Sequence, residues 1–206
     1  MEKAFEILEE DSEYQGFFNL SSYKLRHTLF EGGWTESIRR ELFHRGHCVG
    51  VIPYDPVLDQ VVLIEQFRIG AIRDKAIPWL TEIVAGAVEP GESAEEVAYR
   101  ESMEEAGCEI KELLKIGEFY TSPGGTSEKI TLFCGLIDSS EVGGIHGLKE
   151  EHEDIRALVV DFEAAFAWIE SGVVDSAIPI VGLQWLALNR SRLRGYPKNF
   201  LSSLLR

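Results

Sequence analysis

The chain has 206 residues, 45% of them hydrophobic and 27% charged, with a formal net charge of -15. This fits one catalytic-sized globular core, with or without a small appendage, and the acidity excludes a protein that wraps nucleic acid by neutralising phosphates. Three cysteines, Cys48, Cys108 and Cys134, form no CxxC and are too few for a disulfide framework, which points to a reducing compartment.

Acids break the stretch from Met1 to Asp11, so no secretory signal is expected there. The longest apolar stretch, around Ala177 to Leu188, is too short for a bilayer and contains Pro179 and Gln184. A soluble, cytoplasmic protein without a membrane partner is expected. In the first ~45 residues, alternation around Tyr23, Leu25, His27 and Leu29 predicts a small antiparallel sheet turning at Gly32-Gly33. CVGVIPYDPVLDQVVLIEQFR then reads as two strands joined by an Asp-Pro turn, with Val61 to Ile64 central in a sheet. WLTEIVAGAV is a further strand, and Pro90-Gly91 closes the loop before a helix.

That helix runs from an N-cap at Ser93, through Glu95 and Glu96 in its first turn, to a stop at Gly107. LLKIGEFYTS and KITLFCGLID are strands flanking SPGGTSE, whose Gly124-Gly125 reads more readily as a turn than as an anion site. An acid-rich loop (SSEVGGIHGLKEEHED) precedes the strand IRALVVDF, a helix near Glu163 to Ser171, and a last helix near Ala177 to Arg194. The alternation of strands and helices predicts an α/β layered fold with a mixed sheet.

The helix carries the chemical question. Ala94, Val97 and Ala98 form an apolar stripe that Glu101 and Glu105 continue, so carboxylates point where the helix packs inward. Tyr99, Met103 and Ala106 make a second apolar stripe, while Glu96, Arg100 and Glu104 step along a third face where ion pairs form easily. A Glu-rich run by itself reads as a solvated face. The inward placement argues otherwise, because buried unpaired carboxylates are costly and a hard divalent cation is the usual remedy.

GAVEPGESAEEVAYRESMEEAGC resembles the Nudix box, G-x5-E-x7-R-E-U-x-E-E-x-G-U, at Gly86, Glu92, Arg100, Glu101, Glu104, Glu105 and Gly107, with Ser102 and Cys108 at the aliphatic positions. The resemblance implies an α/β/α sandwich with a mixed sheet that cleaves a pyrophosphate linked to a second moiety. It also implies Mg²⁺, or Mn²⁺, held by Glu101 and Glu105 with Glu104 and the Ala85 carbonyl assisting. Arg100 would orient a box glutamate and Glu92 would brace the loop.

Beyond the box, YQGFF, RRELFHRGH, VVLIEQFR, SPGGTSE, GIHGL and EHEDIR resemble the bacterial ADP-ribose pyrophosphatase branch, with Pro123 placed 16 positions after Gly107. That likeness implies a homodimer with an exchanged N-terminal β region at residues 1–46, contributing to dimerisation and adenine contacts, ahead of a hydrolase domain at 47–206. It implies substrate contacts from Phe17, Arg40, Arg68 and Glu128, a general base at Glu151 and a further metal carboxylate at Glu153. For Arg68 an ion pair with Glu65 or another acid stands beside this reading, for Phe17 a place in the core, and for Glu151 its neighbour Glu150 is the rival. The expected reaction is hydrolysis of ADP-ribose to AMP and ribose 5-phosphate. Hydrolysis of a nucleotide sugar or NADH, and a module that binds ADP-ribose without cleaving it, are the alternatives. A Ca²⁺-binding protein is a third, and DPVLDQ lacks the ligand pattern of an EF-hand loop.

Overall fold

The computed structural model describes residues 2–195. The chain divides into two compact units, Met1–His47 with Phe119–Lys129, and Cys48–Glu118 with the remainder from Ile130 onward. The first unit is therefore larger than the expected N-terminal region, because a later segment joins it.

In the first unit, β1 (Phe5–Gln15), β2 (Asn19–His27) and β3 (Ile38–His44) form an antiparallel sheet in that order. The acid-rich β1 gave no alternation signal, and pairing explains its strand: Glu6 lies opposite Arg26, and Lys24 bonds Glu9 at 2.8 Å, so opposite charges face each other across the ladder. Between β2 and β3 the chain turns where Gly32-Gly33 stands, with φ of 102° and 79°, values that suit glycine. The segment from Ser122 to Ser127 turns on hydrogen bonds from Gly125 and Thr126 to the Ser122 carbonyl and pairs with Phe43, so the Gly124-Gly125 pair is a turn.

The second unit is built on a sheet ordered β10-β11-β5-β4-β9-β8. These are β4 (His47–Asp55), β5 (Gln60–Phe67), β6 (Trp79–Glu82), β7 (Val84–Ala87), β8 (Glu112–Tyr120), β9 (Lys129–Leu136), β10 (Gly144–His146) and β11 (Ile155–Asp161). The expected single strand over 79–88 is two: β6 pairs with β5 and β7 pairs with β4, with buried Ile83 at the change of partner. Short β10 also lies inside the segment expected to be loop.

Three helices complete the unit, α1 (Ala94–Ala106), α2 (Phe162–Ser171) and α3 (Ala177–Arg194). Alternation on β4 sorts the layers. Val49 and Val51 join Val97 and Ala98 of α1 in one core cluster, whereas Gly50 faces Ile178 and Ile52 faces Gly182, both on α3. A Cβ on Gly50 would stand 3.0 Å from Ile178, so the small residue sets how closely α3 approaches. Helices on both faces of the sheet make an α/β/α sandwich. Central β5, with Val61 to Ile64 wholly buried, runs between β11 and β4. Among the described residues no helix is long and apolar enough to cross a membrane.

Candidate active site

The acids of α1 are positioned from its two ends. At the start, a capping box pairs Ser93 and Glu96: the Glu96 N–H donates to Ser93 Oγ at 3.3 Å and the Ser93 N–H donates to Glu96 Oε2 at 2.8 Å. At the end, Gly107 takes a left-handed φ of 62°, and the Cys108 N–H reaches back to the Ser102 carbonyl at 2.8 Å. One face is buried through Val97, Ala98, Ser102, Glu105 and Ala106. The expected second apolar stripe is packed only at Ala106: Tyr99 and Met103 are 44% and 53% exposed, because they lie off the face that the sheet covers.

Between those ends, Glu105 is 2% exposed and its Oε2 accepts the Ala85 N–H at 2.8 Å. Glu101 lies over the neighbouring residue of β7. A Cβ on Gly86 would fall 1.9 Å from Glu101 Oε1, so glycine leaves the space that this carboxylate fills. Arg100 then gathers the remaining acids. It holds Glu92 through two hydrogen bonds of 3.1 Å, Glu101 at 2.8 Å and Glu104 at 3.2 Å.

Burial pushes the Glu105 carboxyl up to about 8, against the Ala85 hydrogen bond, and the charges of Glu101 and Glu153 add to the rise. Burial likewise pushes Glu101 up to about 7, opposed by Arg100 and aided by Glu104 and Glu153. Burial is thus the main reason that both carboxyls resist ionisation, and the neighbouring acids add to it. Among the described residues no three His, Cys, Asp or Glu side chains already close into a metal cage, and Arg100 is bonded to Glu101 and Glu104. Hard oxygen donors, a glycine cradle and raised carboxyl pKa values fit a divalent cation, which would favour the ionised form of both acids.

The loop after β10 is docked on the C-terminal end of α1. The Gly147 N–H donates to the Glu104 carbonyl at 3.0 Å, and His146 packs where a Gly107 Cβ would stand. Glu153 is half-buried, accepts the Leu148 N–H at 3.1 Å, and lies near enough for its charge to act on Glu101 and Glu105. Glu150 and Glu151 are both exposed in the single turn Lys149–Glu151, ahead of His152 at φ 58°.

Arg68, at the end of β5, pairs with Glu82 at 2.6 Å, while Glu65 pairs with Arg156. The other candidates belong to the first unit. Phe17 is 94% exposed with its ring edge-on to Phe18, so a place in the core is excluded. Arg40 is exposed on β3, and Glu128 accepts from Arg45 Nε at 3.2 Å and from the Thr121 hydroxyl at 2.8 Å. Sequence reasoning did not single out Glu82 or Gly147. Gly147 stood within GIHGL, but its contact with α1 depends on a loop docking that no local pattern encodes.

The NUDIX domain family matches residues 44–177, which include the acids of α1 and the loop through Glu153. The chain belongs to the Nudix family. Across 92% of its length it is 48% identical to the ADP-ribose pyrophosphatase of Escherichia coli (strain K12), covering 90% of that protein. The ADP-ribose pyrophosphatase of Haemophilus influenzae is 47% identical, over 92% of this chain and 88% of that one. The GDP-mannose pyrophosphatase of Cronobacter sakazakii is 35% identical over 73% of this chain and 78% of that protein. A crystal structure of an ADP compounds hydrolase superposes with a TM-score of 0.69, covering 92% of this chain and 96% of that one. At 19% identity it shares the Nudix fold alone.

Proposed function

We propose that this Nudix protein hydrolyses ADP-ribose to AMP and ribose 5-phosphate with Mg²⁺, Mn²⁺ being an alternative ion, in the cytoplasm. The observation that carries the reading is the extent of the likeness: 48% identity over 92% of the chain reaches well beyond the acids that any pyrophosphate chemistry needs. Glu101, Glu104, Glu105 and Glu153, with the Ala85 carbonyl, would hold the ion. When bound, it supplies charge neutralisation for the diphosphate and a more acidic water.

The chain's own residues do the rest. Arg100 fixes the directions of Glu101 and Glu104, so these carboxylates do not search for their geometry at each turnover. Glu151 takes the proton as water attacks one phosphorus, the bond to the bridging oxygen breaks, and that oxygen leaves with the other phosphate. Its exposed turn lets it move over bound substrate and exclude water. Arg68 meets charge on the diphosphate, and Phe17, Arg40 and Glu128 are further substrate contacts in this reading. A homodimer is part of the reading, supported by exposed Phe5, Ile7, Leu8 and Tyr14 on β1, and light scattering tests it.

Product analysis after incubation with Mg²⁺ and ADP-ribose in ¹⁸O-labelled water tests the reaction. AMP and ribose 5-phosphate are expected, and the labelled product names the phosphorus attacked. Absence of both products from folded, Mg²⁺-binding protein overturns the reading. The 35% identity to a GDP-mannose pyrophosphatase favours nucleotide sugars as the second reading, and a substrate panel separates the two.

A further inference from the structure

The direction in which Arg68 points is set by one acid. In the β5–β6 register Ile64 stands opposite Glu82 and Gln66 opposite Leu80, and opposed residues of an antiparallel pair share a face. Ile64 belongs to the core cluster with Val97 and Ala98, so Gln66, Glu82 and, two residues on, Arg68 lie on the face that α1 covers. The charge of Arg68 acts on Glu105, so this row ends at the acid cluster. The pairing with Glu82 Oε2 uses the Arg68 Nε, and not the two terminal nitrogens, which suits an arginine that is held from behind in the free protein until an anion meets it in front.

On the same face lies an amide that nothing yet described uses. Gln66 is 7% exposed, and among the described residues its Nε2 has no hydrogen-bond partner. Buried donors are almost always satisfied, so one that is not requires an explanation. Gln66 is the diagonal cross-strand neighbour of Glu82, at the ~7–8 Å spacing that long side chains bridge. Gln66 lies on the chain between Ile64, which Glu82 opposes, and Arg68, with which Glu82 pairs.

We propose that Glu82 is a positioning residue for substrate, acting through Arg68, and that Gln66 is the second donor that holds the Glu82 carboxylate when a diphosphate draws the guanidinium away. The Glu82 side chain is only 17% exposed, and removing the cation from such a carboxylate is costly unless another donor replaces it. With Gln66 in reserve, Arg68 is aimed in the free protein and releasable in the complex. This rests on the reading of Arg68 as a diphosphate ligand.

The test is titration calorimetry of ADP-ribose into the full chain in EDTA, where turnover is suppressed, with Tm measured alongside. Gln66→Met keeps the length and removes the amide. Its Kd is expected to rise about tenfold while Tm stays level or rises, because the free protein loses only an unpartnered donor. In a Glu82→Gln background, where no charge is stranded, Gln66→Met should change Kd less than about twofold. In an Arg68→Ala background Glu82→Gln should add nothing. An unchanged Kd for Gln66→Met, an equal loss in both backgrounds, or a loss tracking a lowered Tm overturns the proposal. Wild-type protein that binds ADP-ribose in EDTA but does not cleave it once excess Mg²⁺ is added overturns the hydrolase reading and leaves this one to be decided by the same ratios. Wild-type protein that neither binds ADP-ribose in EDTA nor cleaves it with Mg²⁺ overturns both.

Discussion

Gly86 carries no chemistry of its own, yet the placement of Glu101 depends on what it lacks. A methyl group there would stand 1.9 Å from the Glu101 carboxylate, so Gly86→Ala must displace either β7 or the acid. A misplacement of about 1 Å costs on the order of 10²-fold in rate, and Gly86→Ala should lose that much kcat while circular dichroism stays unchanged. The general base is a second residue-scale question, since Glu150 and Glu151 are both exposed in one turn. Glu151→Gln should lower turnover about 10²- to 10⁴-fold, with Glu150→Gln near wild type, and the reverse pattern would reassign the base. The seven letters of the box and their spacing were legible in the chain. The reason for the first glycine was not, because it is a distance between residues 15 positions apart on different elements.

At the scale of elements, α1 is the part the sequence predicts best, because its start and stop signals are local. Ser93 and Glu96 satisfy each other's backbone donors, and Gly107 supplies the left-handed residue that ends the helix. Ser93→Ala removes one half of the capping box and should cost about 1 kcal/mol, read as a lowered midpoint in urea with an unchanged slope. The expected burial of Tyr99 and Met103 failed for a reason that lies outside the helix: apolar periodicity shows which side chains can pack and not whether a layer is there to receive them. The division of residues 79–87 into β6 and β7 has a similar origin. One continuous apolar run changes hydrogen-bonding partner from β5 to β4, and partners are a property of the sheet.

At the scale of the molecule, Asp59 links the β4–β5 turn to the far end of α3. Tyr54 donates to its Oδ1 at 2.8 Å, and Arg190 and Arg194 both pair with it. Burial raises this carboxyl, but the hydrogen bonds from Arg190 and Tyr54 and the charges of both arginines outweigh it and hold it below the ordinary value. A lowered folded pKa gives stability that is complete above the unfolded value of about 4 and is lost as pH falls through the folded one. Asp59→Asn should therefore lower Tm most near neutrality, with the gap from wild type closing below about pH 4. A gap independent of pH would assign the loss to packing. By itself the sequence determined the box, the caps of α1, the order of most strands and helices, and the family, because each is written in local spacing or in residue types at fixed offsets. Only the tertiary structure decided that Glu101 rests on Gly86, that Glu105 is buried against Ala85, that Arg68 is held by Glu82, and that the Gln66 amide is buried without a partner among the described residues. Those are distances across strands and layers, and they exist only once the chain has brought distant residues together.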